Sequence, residues 1–498
     1  MMEKELLDVT KRSGIVFFGG ILGASLNFIF TLIVTRYIGV LTYGRFIYIF
    51  TVISFFPLLC TLGLDKGLQF FVPKKTVNNE TNDRNSLISF SFAVSFIVSI
   101  AVVVLIIVLS DYIASEILPR QKLGFVLRML APLIILLTFR QMADVIYRSV
   151  GNVATFVKNQ SLITPVVQIL AIIIFISLGY TIGGLIGAFY VGLFVSSIIL
   201  LLDLKKLNLF TRFSFRAAGS YREIFAYSIP LLLSSLVTFF GSKADILFIG
   251  HTISSEKVAV YNVAFQIGII SNFALVAFNS IFASVITSLY YKAEYAKLAG
   301  IYKTITKWMV ALNVICFSII LLFSEDILRI FGEAFVVGSK ALILVSIGQL
   351  FNVGVGSAGL MITMTGRPQY SLYISLATAI VNIALNYVLI PIYGITGAGL
   401  ASLVTVATAN IARLIVVYRT FQIHPYDWSY LKIIIPALVS FVIVLTIKNL
   451  VTMQWLIELC VLSLVFLFIF GSVTILLGLS NDDKLILNKI VNKIKSTR

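Results

Sequence analysis

Apolar runs long enough to cross a membrane recur fourteen times along the chain, separated mostly by short polar connections. About 20 apolar residues span a 30 Å hydrocarbon core. The runs predict helices over 14–35, 46–72, 86–109, 124–146, 153–178, 181–202, 224–250, 259–289, 302–324, 335–365, 370–391, 396–418, 431–448 and 453–478, numbered helix 1 to helix 14. No stretch has the polar, alternating character of a soluble domain. The pattern predicts an all-α polytopic membrane protein of about 14 transmembrane helices. Met1–Ser13 is polar and charged, and the apolar run from Gly14 is too long for a signal-peptide h-region, so helix 1 reads as a span.

The chain resembles itself. At an offset of 215, Gly151 falls on Gly366, Gly179 on Gly394, Thr181 on Thr396, Gly184 on Gly399 and Leu185 on Leu400. A second pairing sets Arg36-Tyr-Ile-Gly39 against Phe248-Ile-Gly250 at an offset of 211, reconciled by one loop insertion. Helices 1–6 (1–203) and 7–12 (223–420) therefore read as parallel repeats. Six helices per copy is even, so both lobes keep one orientation, related by a pseudo-two-fold along the membrane normal, with the pathway expected at their interface. Helices 13 and 14 (421–480) are an addition.

Composition agrees. The 498 residues are 59% hydrophobic and 12% charged, against about a quarter charged in a soluble protein. The net charge of +17 would suggest nucleic acid in a soluble chain. Here the positive-inside rule is the simpler cause. With both termini in the cytoplasm, 26 of the 38 Lys and Arg fall in inside segments and nine outside. The richest connection is the linker 204–222, with Lys205, Lys206, Arg212, Arg216 and Arg222 among aromatic residues, expected to lie on the anionic leaflet. The tail 481–498 carries KLILNKIVNKIK and reads as an amphipathic surface helix. Cys60, Cys316 and Cys460 sit far apart in apolar runs, and neither they nor His251 and His424 have metal spacing. No phosphate-binding loop or nucleophile elbow occurs, so neither an enzyme nor a self-contained ATP-driven pump is expected, and no cofactor beyond H+ or Na+ coupling.

The remaining basic residues, Lys66, Arg140 and Lys243, fall within spans, where a charge costs roughly 2.5–3.5 kcal/mol and faces protein or water. Arg140, Asp144 and Arg148 share one face of helix 4 at i, i+4, i+8. They read either as a self-neutralised stripe or as a basic cavity wall in which Asp144 holds both arginines. Lys243 and Asp245 at i, i+2 point about 200° apart, so each needs its own partner or a wet cavity. Lys66 and Arg36 lie near span ends, where snorkelling explains them as well as function does. Asp65 beside Lys66 reads as a helix-end pair. Asn279 and Asn352 are the candidate sugar contacts among the intramembrane amides. Gly354, Gly356 and Gly359 in helix 10, and Pro230 and Gly241 in helix 7, are expected to bend those helices.

Two six-helix lobes plus two helices, opening with TRYIGVLTYGRFIYIF and a helix-2 end TLGLDKGLQFFVP, resemble the polysaccharide-transporter (Wzx-type oligosaccharide flippase) branch of the multidrug/oligosaccharidyl-lipid/polysaccharide exporter superfamily. The family pattern often places a small residue after the Asp of helix 2, where this chain has Lys66. The resemblance implies a plasma-membrane flippase carrying polyprenyl-(di)phosphate-linked oligosaccharide from the cytoplasmic to the outer leaflet by alternating access. The expected partners are that substrate, membrane lipids and polymerase or glycosyltransferase machinery, with the flippase itself a monomer. Arg140, Arg148, Lys243, Arg36 and Lys66 would meet the phosphate, and Asp144, Asp245, Asn279 and Asn352 would be polar or ion-coupling groups. The alternative is an ion-coupled organic-cation antiporter using Asp144 and Asp245. Interior charges balance three to three, so the tally alone does not choose.

Overall fold

The computed structural model describes the backbone of residues 2–117, 123–207, 209, 218–451 and 453–478, and side chains over the same ranges apart from 2–17, 218–220, 280, 281 and 284. Most of the 204–222 linker and the amphipathic tail lie outside the described residues. The described residues form thirteen helices able to cross a membrane, or fourteen when the bent pair Leu123–Leu130 and Leu133–Ser149 counts as one. The fourteen spans read from hydropathy are these. Helix 1 is Phe18–Tyr37, helix 2 Val40–Cys60, helix 3 Thr81–Glu116, helix 4 the bent pair, helix 5 Val153–Ser177, helix 6 Ile182–Lys206 and helix 7 Tyr221–Thr252. Helix 8 is Ser255–Asn279, helix 9 Tyr295–Arg329, helix 10 Glu333–Gly354, helix 11 Pro368–Tyr393, helix 12 Ile395–Phe421, helix 13 Trp428–Leu450 and helix 14 Trp455–Leu476.

Polarity on these helices is inverted relative to a soluble protein. On helix 3 the buried face carries Ser91, Ser95 and Ser99, while Phe96, Ile97 and Val104 are exposed. Lipid is as apolar as leucine, so close contact rather than hydrophobic burial draws spans together, and small residues allow it.

The chain divides into two compact units, Met1–Asn262 with Ile383–Gly394, and Val263–Asn382 with Ile395–Arg498. The first has a core of Leu64, Leu68, Leu87, Ile146, Tyr147, Leu200 and Ile224. Helix 7 packs so closely within it that a Cβ on Gly63 would meet the Ser228 carbonyl oxygen at 2.3 Å. The second has one core around Phe282, Tyr302, Met361 and Val417 and another joining helices 9, 13 and 14 through Phe323, Val444 and Phe466.

Several spans are interrupted, and each interruption has a side chain on it. In hydrocarbon a freed backbone group must find a partner within the protein. Helix 2 stops at Cys60, turns through left-handed Leu62 and Gly63, and resumes as Leu64–Val77, with the Thr61 hydroxyl donating to Leu58 O at 3.0 Å. Helix 4 bends by 44° after Leu130, where the Tyr190 hydroxyl donates to Met129 O at 2.7 Å. Helix 8 tightens into a 3-10 turn at Ile269–Asn272, and Asn313 donates to Ser271 O at 3.1 Å. Helix 10 breaks between Gly354 and Ala358, and the buried Tyr302 hydroxyl takes Val355 O at 2.5 Å. Helix 9 has a non-helical Phe323, and Lys448 donates to Leu322 O at 2.9 Å. Helix 7, by contrast, runs unbroken from Ala218 to Thr252 through Pro230 and Gly241. Helix 10 is interrupted where its glycines lie, and helix 7 stays continuous through Pro230 and Gly241.

The repeat is visible in the backbone. Gly151 and Gly366 have φ of 77° and 78°, and Gly179 and Gly394 have 82° and 61°. Each pair ends one helix in the left-handed region that glycine enters freely. The second pairing fails: Gly39 ends helix 1 at φ 90°, whereas Gly250 is helical and faces the Tyr48 ring.

The turn into helix 3 is closed by charge. Lys75 Nζ donates to Glu80 at 3.0 Å and to Asp83 at 3.5 Å. Burial opposes the Lys75 charge, but Glu80 and Asp83 outweigh it and raise its pKa, while the Lys75 hydrogen bond holds the Glu80 carboxyl below its ordinary value. A depressed carboxyl stabilises the fold above its ordinary pKa and loses that contribution as pH falls through the folded value.

Two outcomes are expected in detergent melting experiments. A Cβ on Gly44 would lie 1.8 Å from the Ser255 carbonyl oxygen, whereas Gly183 has open space. Gly44→Ala should therefore cost about 1–3 kcal/mol or more, and Gly183→Ala should be neutral or slightly stabilising. The difference in Tm between wild type and Glu80→Gln should be present at pH 7 and close below about pH 4. A gap unchanged down to pH 3 would show that the Lys75–Glu80 pair does not contribute.

Candidate functional site

The charged ladder of helix 4 does not pair as its spacing suggests. Arg148 Nε donates to Asp144 Oδ1 at 2.7 Å. Arg140 turns away, and its Nη1 donates to Thr164 Oγ1 at 2.8 Å and Ser196 Oγ at 2.6 Å. Side chains on a helix lean toward its N-terminus. Arg148 thus leans back onto Asp144, and Arg140 leans away from it. Asp144 acts on Arg140 only as a charge at longer range. The reading in which Asp144 holds both arginines is corrected to one.

Helix 5 supplies the Arg140 cradle through a π-turn at Asn159–Ile163. Such turns release a backbone group and recur at functional sites. Here the Asn159 carbonyl accepts both the Thr164 amide and, at 3.0 Å, Thr164 Oγ1, Ser196 donates to Asn159 Oδ1, and Asn159 Nδ2 donates to Ser196 O at 3.2 Å. Arg140 is thus half-buried and held by neutral hydroxyls of helices 5 and 6 rather than by a carboxylate.

Asp65 lies just past the break in helix 2, in the first turn of Leu64–Val77. That places a buried carboxylate at the positive end of a half-helix. It accepts from Thr61 and from Gln141 of helix 4, both at 3.3 Å, and Lys66 lies 3.7 Å away. Lys66 is thus beside a mid-chain break. Arg36 is exposed in the last turn of helix 1, where a cation suits the helix dipole.

Asp245 is 7% exposed, accepts the Ile246 amide at 2.9 Å and lies against the Tyr261 hydroxyl. Among the described residues Lys243 forms no hydrogen bond or ion pair, though its charge reaches Asp245. Asn279 and Asn352 belong to helix breaks. Ser357 donates to Asn279 Oδ1 at 2.5 Å, and Asn352 Nδ2 donates to Asn272 at 2.8 Å and Gln349 at 3.2 Å. Within their own unit these amides are already engaged.

One intramembrane cation escaped the sequence reading. Arg413 falls near the end of the predicted span 396–418 and is not among the intramembrane cations singled out above; the helix continues to Phe421, so Arg413 lies two turns inside it. Its Nη1 donates to Asn410 Oδ1 at 3.1 Å, and its Cδ would lie 3.4 Å from a Cβ on Gly359. Among the described residues it has no carboxylate within ion-pair distance. The available signal was the apolar run Leu414–Val417 beyond it, which leaves no turn residue before Thr420.

An array of thirteen or fourteen apolar helices among the described residues, interrupted at side-chain-covered breaks and holding charges within its spans, defines a multi-pass helical membrane protein. Residues 9–288, more than half of the chain, match the family described as Polysaccharide biosynthesis protein, and residues 230–388 match MatE. The chain belongs to the polysaccharide biosynthesis protein family, as its helix-2 and lobe patterns implied. It is 24% identical over 260 residues to the probable low-salt glycan biosynthesis flippase Agl15 of Haloferax volcanii. That alignment covers 51% of this chain and 54% of the relative, about half the length of each. The fold is similar to that of Lipid II flippase MurJ in an inward closed conformation, with TM-score 0.73 and 14% identity over 93% of this chain and 98% of that one. It is also similar to an inward-facing multidrug resistance MATE family transporter of the MOP superfamily, with TM-score 0.64 and 15% identity over 83% and 94%.

Removing Ser196 leaves both Arg140 and Asn159 short of a buried partner, which costs about 1–3 kcal/mol. Ser197 is its control, since its buried hydroxyl has no partner among the described residues. Ser196→Ala is expected to lower Tm clearly and Ser197→Ala to leave it unchanged or raised. Equal shifts would show that the Arg140 cradle is not a stabilising unit.

Proposed function

We propose that the protein is a flippase for a polyprenyl-(di)phosphate-linked oligosaccharide, moving it from the cytoplasmic to the outer leaflet of the plasma membrane by alternating access, with both termini cytoplasmic. The carrying observation is which interior charges are matched. Asp65 has Lys66 beside it and Asp144 has Arg148. Among the described residues Arg140, Lys243 and Arg413 have no such direct ion pair. The three-to-three tally of the sequence thus resolves into a surplus of intramembrane cations. A guanidinium held by neutral hydroxyls keeps its charge for a phosphate, and charge-assisted bonds to phosphate oxygens are the strong ones. The family and the glycan-flippase relative support the same substrate class. In this reading the protein acts as a monomer, works beside polymerase or glycosyltransferase machinery, and uses no cofactor other than a coupling ion. Asp245, a buried carboxylate without a direct ion pair, is the residue assigned to H+ or Na+.

The second reading, an organic-cation antiporter, draws on the same Asp245, which lies in the segment matching MatE. It requires interior carboxylates to dominate, and of Asp65, Asp144 and Asp245 two stand beside a cation.

The test is translocation of a lipid-linked sugar in proteoliposomes. Loss of one charge-assisted phosphate contact is worth about 1.5–3 kcal/mol, so Arg140→Ala, Lys243→Ala and Arg413→Ala should each slow flux roughly ten- to hundredfold while still inserting. Wild-type flux from all three would sink the assignment. Raised resistance of an expressing strain to cationic dyes would favour the antiporter.

A further inference from the structure

Helices 9, 13 and 14 enclose a cavity of about 180 Å³ that lies within one unit and apart from the charges of helices 4, 7 and 12. It is too small for an oligosaccharide, since drug-sized ligands occupy about 300–1,000 Å³. Its polar lining comes from Lys307, Lys432, Ser429 and Thr474, and its apolar wall includes Trp308 and Phe470. Among the described residues no lining residue is acidic. Lys307 is 8% exposed, an unusual depth for a lysine. Lys432 Nζ donates to the Gly478 carbonyl at 2.8 Å, a neutral partner that leaves its charge in place. Ser429 and Lys432 also stand at the start of helix 13, whose dipole favours an anion. The carboxylate of this turn, Asp427, is occupied by the Ser429 amide and hydroxyl.

The lining stretches of helices 13 and 14 also carry exposed aliphatic side chains: Ile434 follows the lining residue Ile433, and Ile475 and Leu476 follow Thr474. A basic pocket between spans, flanked by exposed aliphatic side chains, fits one chemistry: a phosphodiester headgroup whose acyl chains run down the outside of the helices.

We propose that this cavity binds the phosphate of an anionic membrane phospholipid. The lipid seats helices 13 and 14 against helix 9 and is a structural ligand rather than the transported molecule. The site does not depend on the flippase reading.

Trp308 reports on it directly. The chain has three tryptophans, so the test uses full-length protein carrying Trp428→Phe and Trp455→Phe in a neutral detergent. Phosphatidylglycerol and phosphatidylcholine brominated on the acyl chains are titrated against Trp308 emission. A lysine near a phosphate is worth a factor of about five, so with Lys432 alone counted phosphatidylglycerol should quench at roughly fivefold lower concentration. Lys432→Gln should lose much of that preference and Lys432→Arg keep it. Equal quenching by the two lipids, or an undiminished preference in Lys432→Gln, overturns the proposal. An emission change with inorganic phosphate as strong as with phosphatidylglycerol assigns the site to a soluble anion and overturns the lipid assignment. The wild-type comparison of the two lipids stands even where a lysine variant fails to fold.

Discussion

A peptide group released from its helix inside hydrocarbon has no water to turn to, and much of this structure follows from that constraint. The interruptions in helices 2, 4, 5, 8, 9 and 10 each come with a hydroxyl, amide or ammonium on a backbone carbonyl at the irregularity. Tyr190 and Tyr302 do this with the far end of an aromatic ring, so the phenol covers the break while the ring packs among apolar neighbours. An unsatisfied group would cost several kcal/mol. The polar residues of the spans are therefore largely committed to architecture before any substrate is considered. Against that background the groups left over become informative.

Most of those left over are cations, with Asp245 the exception. Asp65 and Asp144 each sit beside a cation, and Asp65 also has two side-chain donors. Arg140 is held by two hydroxyls and Arg413 by one amide oxygen. Guanidinium groups secured by neutral oxygens are fixed in place yet not neutralised, which preorganises a charge without cancelling it. The hydroxyl cradle of Arg140 depends on the π-turn of helix 5, so one irregularity in the backbone sets the electrostatic character of this part of the first unit.

Much of this was legible in the sequence. Apolar runs alone counted the spans, because length and composition are what the bilayer constrains most. The glycines at 151, 179, 366 and 394 marked equivalent turns, because a left-handed residue is hard to replace. Breaks were harder to read. The run from Phe55 to Leu64 is apolar but for Thr61, so hydropathy passes over an interruption at which Pro57 and Gly63 hint. Gly250 shows the reverse error, a glycine kept for a close aromatic contact inside a helix and mistaken for a turn. Spacing placed Arg140, Asp144 and Arg148 on one face but did not give the direction in which each side chain leans. Arg413 was missed because its charge falls near a predicted end.

The hairpin of helices 13 and 14 is attached to helix 9 at its C-terminal end by a knot of charge. Asp326 binds both Arg329, at 2.9 Å, and Lys448, at 3.2 Å, and Lys448 also reaches Glu458 at 3.5 Å and the ring of Phe323. The same ammonium caps Leu322 at the Phe323 kink. Were helix 9 to straighten, that carbonyl would return to its own ladder and Lys448 would lose its grip there. The appended hairpin is therefore geared to the curvature of its neighbour: a change in the shape of one helix alters the adhesion of two others, with no ligand contact needed to transmit it.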